Sequence, residues 1–154
     1  MDYLRVTSEP DLAEALSVDG AVPLAGGTDL LVKVRAGVAR PGLLVDVSRV
    51  ESLRGLSRSQ DGLSIGAALP LADLLGDAAV RDAYPLLATV LRSLGSTQIR
   101  SRATLGGNLA NASPAADGAL ALLAYDARLT LASRAGSRAL PLREFFRGPG
   151  RTAL

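Results

Sequence analysis

Short apolar runs and amphipathic stretches alternate over the first fifty residues of this chain. Residues 3–6 read as a short strand. Ser8-Glu9-Pro10-Asp11 reads as a helix start, with Ser8 as the cap, Pro10 inside the first turn and Asp11 near the positive end of the helix. That helix is expected to run to about Ser17 and to stop at Asp19-Gly20. Residues 21–25 form a short apolar run that predicts a buried strand. Gly26-Gly27-Thr28 follows as a turn, with Asp29 as a helix cap. Residues 29–36 then predict a helix stopped by Gly37. Residues 43–47 predict a second buried strand. Strand, helix, strand, glycine turn, helix, strand implies a small parallel sheet.

The pattern changes after residue 50. Residues 53–56 and 63–66, divided by Asp61-Gly62, predict a hairpin. Pro70 opens a short helix reaching Leu75, as its first residue. Residues 85–94 form an amphipathic helix, with Leu86, Leu87, Val90, Leu91 and Leu94 on one face and Gly95 at the stop. Residues 115–124 are apolar nearly all round, which predicts a buried helix, with Ser113 as cap and Pro114 as its first residue. Residues 128–133 and 137–140 predict another hairpin. A boundary at 50–55 divides the chain into a small lobe, residues 1–52, and a second lobe, residues 53–154. No repeat or low-complexity segment interrupts either.

Composition narrows the chemistry. Apolar residues make up 48% but aromatics only 3%, so the core must be Leu, Val and Ala. Cys and His are both absent. That removes disulfides, thiolate-bound zinc, thiolate-ligated clusters and any nucleophile activated by imidazole within this chain. Redox chemistry here requires a bound organic cofactor. The formal charge of +2 is too slight to argue for nucleic acid. No apolar run reaches membrane-spanning length, and Met1-Asp2-Tyr3 does not begin a signal peptide, so a cytoplasmic location is expected.

Two glycine segments are candidates for a ligand site. In Leu24-Ala25-Gly26-Gly27-Thr28-Asp29-Leu30-Leu31, a double glycine between strand and helix lets a ligand reach the backbone amides. The helix start adds unpaired N–H groups and partial positive charge, which suits a pyrophosphate. Thr28 offers a hydroxyl, whereas Asp29 repels phosphate. The plainer reading, that Gly-Gly is only a tight turn, fits this segment equally well. The second segment is Thr104-Leu105-Gly106-Gly107-Asn108, continuing to Asp117. Asp117 is either a partner for a helix dipole or an acceptor for ligand hydroxyls. Arg100 and Arg102, just before it, could offset phosphate charge. Neither segment has the lysine of a phosphate loop or the spaced glycines of a dinucleotide fingerprint.

Residues 24–31 and 104–117 together resemble the FAD-binding subunit, or middle domain, of the xanthine dehydrogenase and carbon monoxide dehydrogenase family. Supporting segments fall in the family's order: 43–47, Ile65-Gly66-Ala67, Tyr84-Pro85-Leu86-Leu87, Gln98-Ile99-Arg100 and Phe145-Phe146-Arg147-Gly148. The resemblance spans essentially the whole chain. It implies an α+β fold of the xanthine dehydrogenase/vanillyl-alcohol oxidase (PCMH) type, two lobes around FAD, with a small parallel βαβ lobe and an antiparallel sheet with helices.

The resemblance further implies that Leu24, Ala25, Gly26, Gly27, Thr28, Asp29, Leu30 and Leu31 hold the pyrophosphate of FAD. Thr104, Leu105, Gly106, Gly107 and Asn108 would form the second FAD loop. Asp117 would contact the flavin and ribityl side, and Leu94 would pack against the cofactor. The implied role is electron relay. A molybdenum-cofactor large subunit oxidises substrate, a 2Fe–2S small subunit conducts electrons, and FAD passes them to NAD or another acceptor. A flavin-free assembly module of such a complex is the alternative. Family members continue beyond the equivalent of Leu154, with more of the second lobe and a third, C-terminal domain. In family members that further chain would normally cover Phe145 and Phe146, and if exposed these residues would make the chain unstable or sticky.

Overall fold

Three parallel strands open the fold in the computed structural model, which describes residues 1–154. They are β1 (Asp2–Arg5), β2 (Ala21–Leu24) and β3 (Leu43–Asp46), in the order β1-β3-β2. Arg5 of β1 and Leu24 of β2 both pair with Asp46 of the central strand. Helix α1 (Glu9–Ala15) links β1 to β2, and its start is capped as expected, since the Ser8 side chain accepts from the Asp11 amide. Helix α2 (Leu30–Arg35) links β2 to β3 and ends near Gly37, whose φ of +73° needs no Cβ. Central β3 is buried from Leu44 through Asp46, but in β2 only Leu24 is buried. The uneven burial follows from order, because β2 is an edge strand. Val6, Ala15, Val45, Val47 and Val50 form the core beneath this sheet, joined by Ala68.

A 3-10 turn at Glu51–Leu53 leads to the hairpin of β4 (Leu56–Ser59) and β5 (Gly62–Ile65). Six short helices follow: α3 (Leu71–Gly76), α4 (Ala78–Ala83), α5 (Pro85–Ser93), α6 (Thr97–Arg100), α7 (Leu105–Asn111) and α8 (Asp117–Ala124). Leu71, Leu74, Val80, Leu87 and Leu91 are fully enclosed among them. Each such side chain contributes roughly 1.5–3 kcal/mol of burial. Two further hairpins close the chain, β6 (Arg128–Ser133) with β7 (Gly136–Pro141) and β8 (Phe146–Gly148) with β9 (Arg151–Thr152). The antiparallel part is thus three separate two-stranded units. No helix is long and apolar enough to cross a membrane.

Several local expectations are corrected. Pro70 precedes α3 as its cap residue instead of opening it. In α5 the buried stripe is Leu87, Ala88 and Leu91, while Leu86 is exposed. Helix α8 starts at Asp117, not after Ser113, whose hydroxyl instead accepts from the Ala115 amide in a turn. It is also not buried all round: Gly118, Ala119 and Ala121 face the core, whereas Leu120 is 65% exposed. Phe145 is buried and meets Phe146 edge-to-face at 5.4 Å, beneath Leu142 and the last strand.

Candidate functional site

The first glycine segment leaves β2 at Leu24, whose carbonyl accepts from the Val47 amide. Beyond that bond, none of the amides of residues 25–29 donates to an acceptor in the chain. Gly27 takes φ +73°, a conformation that turns the backbone sharply. Asp29 occupies the cap position of α2, yet its carboxylate makes no capping bond. The cap role expected for Asp29 is therefore not found. Thr28 is half-buried, Asp29 and Leu31 are exposed, and Leu24 is buried. A run of five open amides beside a helix start is a concentration of donors for an anion.

The second segment is the first turn of α7, not a free loop. Thr104 is its cap, its hydroxyl accepting from the Gly107 amide at 3.0 Å. Leu105 is buried in the main core and anchors the turn. The two glycines then do different things. A Cβ on Gly106 would lie 2.6 Å from the Ala67 carbonyl oxygen, so this glycine permits close packing. A Cβ on Gly107 would meet only the Thr104 hydroxyl, at 3.0 Å, and Gly107 is exposed. Gly107 therefore presents bare backbone to the outside.

These two segments are held together. Gly26 lies directly on the backbone of Arg102 and Ala103, just before the α7 cap. Lys33 of α2 donates to the side-chain oxygen of Asn111 at the end of α7. Helix α8 then packs on α7 through Gly118. A Cβ on Gly118 would lie 2.7 Å from the side-chain oxygen of Asn108. That Asn108 oxygen is buried and has no hydrogen-bond partner. An unpaired buried acceptor costs roughly 1–3 kcal/mol, and it marks the α7–α8 contact as a place for a donor.

Asp117 is exposed at the first position of α8, and its side chain makes no hydrogen bond or ion pair within the chain. Leu94 is the cap residue at the end of α5 and packs, half-buried, on the core that holds Ala103 and Leu105. The two arginines before the second segment part company. Arg100 turns back to cap α5, donating to the carbonyls of Arg92, Leu94 and Gly95. Arg102 lines a hollow together with Ala25 and Thr104.

Sequence reading missed one charged group. Asp46, in the middle of the buried β3 run, is only 6% exposed. The Tyr3 hydroxyl and Arg5 Nε both donate to one of its oxygens, and the Ser48 amide donates to the other. Burial alone would raise its pKa, but hydrogen bonds from Ser48, Tyr3 and Arg5 overcome this and hold it at about 2. The signal was present: Tyr3 and Arg5, two apart on β1, face the same way as a lone acidic residue in an apolar run.

This geometry matches known proteins across its full length. The family described as the FAD binding domain in molybdopterin dehydrogenase matches residues 1–154. The chain belongs to that family. The medium chain of glyceraldehyde dehydrogenase from Sulfolobus acidocaldarius is 36% identical over 151 residues, covering 96% of this chain and 53% of that protein. The xanthine dehydrogenase FAD-binding subunit of Escherichia coli O157:H7 is 36% identical over 158 residues, covering 99% of this chain and 54% of its own length. A chain of carbon monoxide dehydrogenase from Hydrogenophaga pseudoflava superposes with a TM-score of 0.96 at 31% identity, covering all of this chain and 54% of that one. Quinoline 2-oxidoreductase from Pseudomonas putida 86 gives the same TM-score, 0.96, at 31% identity. The chain thus spans about half the length of the relatives it matches. FAD is the cofactor of this domain family, and the α+β fold with a small parallel sheet and antiparallel hairpins is the fold of its medium subunits.

Proposed function

We propose that this chain is the flavin-holding part of an electron-transfer component of a molybdenum hydroxylase, standing between iron–sulfur clusters and NAD or another acceptor. The observation that carries the reading is the run of open amides at residues 25–29, on a loop whose Gly26 packs against the backbone of Arg102 and Ala103, just before the segment that holds Gly107. The amides of Gly26, Gly27 and Thr28 would bind the pyrophosphate of FAD, with the exposed face of Gly107 closing on it from the second segment. Open backbone donors suit this task because they keep a fixed direction and add no side-chain entropy cost.

The other residues take supporting places. Asn108, with its unpaired buried oxygen, is suited to accept from a ligand hydroxyl or N–H after a small side-chain movement. Asp117, exposed next to Gly118, would accept from the ribityl hydroxyls. Leu94, at the end of α5, would offer an apolar surface to the ring. When bound, FAD supplies two-electron chemistry that no side chain here can perform. The protein's own part is to bind, orient and shield.

Partners follow from the same reading. Relatives are medium chains or FAD-binding subunits, and the reading places this chain beside a molybdenum-cofactor large subunit and a 2Fe–2S small subunit in the cytoplasm. Exposed Leu31 and Val32 on α2 and Leu120 on α8 are surfaces that further polypeptide could cover. The test is titration with FAD, following flavin absorbance and melting temperature. Both should respond. No change in either at saturating FAD contradicts flavin binding and favours the flavin-free assembly module.

A further inference from the structure

A hollow of about 360 Å³ opens where the parallel strands end, beside the first glycine segment. Arg5, Arg49, Arg54 and Arg102 line it, with Asp73 as its one carboxylate and with Ala25 and Thr104 from the two glycine segments. These arginines come from three segments far apart in sequence, in a chain whose net charge is only +2. Two of them are matched. Arg5 Nε donates to Asp46 at 3.0 Å. Arg54 donates to the Ser48 carbonyl at 2.9 Å and lies 3.9 Å from Asp73. Arg49 and Arg102 appear in no side-chain hydrogen bond or ion pair of the chain. Two guanidiniums without a counter-charge thus share a polar hollow at the carboxyl ends of a parallel sheet. Ligands of open α/β sheets bind at such ends, and guanidinium forks match phosphate oxygens two at a time.

We propose that this hollow seats a compact dianionic group, a phosphate, beside the flavin cradle, with which it shares only Ala25 and Thr104. The shared chemistry is a phosphate that is either free or the 5′-phosphate of a nucleotide other than the flavin. The Arg49 and Arg102 side chains hold it, while Arg5 and Arg54, pinned by their own partners, form the fixed wall. The proposal does not depend on the flavin reading.

The experiment is isothermal titration of inorganic phosphate into the full chain as the cell makes it, at low ionic strength, both flavin-free and with saturating FAD. One phosphate should bind in both states. Replacing Arg49→Gln and Arg102→Gln together should weaken it at least about tenfold, whereas the Lys pair should retain most of the binding because it keeps the charge. Arg128→Gln with Arg151→Gln, exposed elsewhere and equal in charge lost, should leave it unchanged. Circular dichroism confirms that each variant is folded. Displacement of phosphate by 5′-AMP assigns the nucleotide source, and its absence assigns the free anion. Loss of phosphate binding on adding FAD would place the anion in the amide cradle and overturn the proposal. Equal weakening by both Gln pairs, or no binding in either state, would also overturn it.

Discussion

A Cβ on Gly26 would lie 2.1 Å from the carbonyl oxygen of Arg102. This contact joins the loop after β2 to the segment that starts α7, and both sides of it are backbone. Neither can rotate away as a side chain would. Gly26→Ala is therefore expected to destabilise the fold by about 2 kcal/mol or more, read by urea denaturation, and to weaken FAD binding as the two segments separate. A variant as stable as the parent would show that the two segments do not depend on this contact.

Asp46 gives a dependence on acid. Its pKa is about 2 in the fold against an ordinary value of 3.8, so the folded state holds the charged form more firmly than the unfolded chain does. Its contribution is present above pH 4 and is lost as pH falls from near 4 toward 2. The contribution is about 2 kcal/mol. Asp46→Asn should be less stable than the parent at pH 7, with the difference shrinking below pH 3 in denaturation curves. A constant difference from pH 7 to pH 2 would contradict the charged network with Tyr3 and Arg5.

Lys33 reaches from α2 to Asn111 at the end of α7 and ties the helix that follows the first glycine segment to the helix that begins with the second. The contact is exposed, so its loss should cost under about 1 kcal/mol of stability. Lys33→Met should nevertheless lower FAD affinity by a few fold, with Lys33→Arg restoring part of it. An affinity unchanged in Lys33→Met would remove the tether from the account.

Leucines in the helical part divide by burial. Leu91 is fully buried, and Leu91→Ala should cost about 2–5 kcal/mol. Leu120 is 65% exposed, and Leu120→Ser should change stability by under about 0.5 kcal/mol. If Leu120→Ser proved as costly as Leu91→Ala, the buried side of α8 would have been misplaced.

The parallel sheet was legible because apolar runs at 21–25 and 43–47 stand between glycines and a capped helix. Those features are local, so the sequence carries them. Asp46 was not legible as a buried group, since its partners Tyr3 and Arg5 reach it only through strand pairing. The second glycine segment looked like a loop because two glycines weaken a helix by roughly 1 kcal/mol each. In the fold, the Thr104 cap, buried Leu105 and the packing of Gly106 on Ala67 override that local preference. The same tertiary override moved the start of α8 from Ser113 to Asp117, and it turned Leu86 outward. Both glycine motifs were readable as candidates. Only the fold separates Gly26 and Gly106, which permit packing, from Gly107, which is open.

That distinction carries the central claim, and Gly107→Val tests it most directly. A valine here meets little but the Thr104 hydroxyl, so folding stability should change by under about 1 kcal/mol. The new side chain would fill the open space in front of Gly107 where the pyrophosphate is proposed to lie. The FAD dissociation constant, measured by flavin fluorescence, should rise at least about tenfold, equivalent to about 1.4 kcal/mol. A dissociation constant equal to that of the parent would contradict the account.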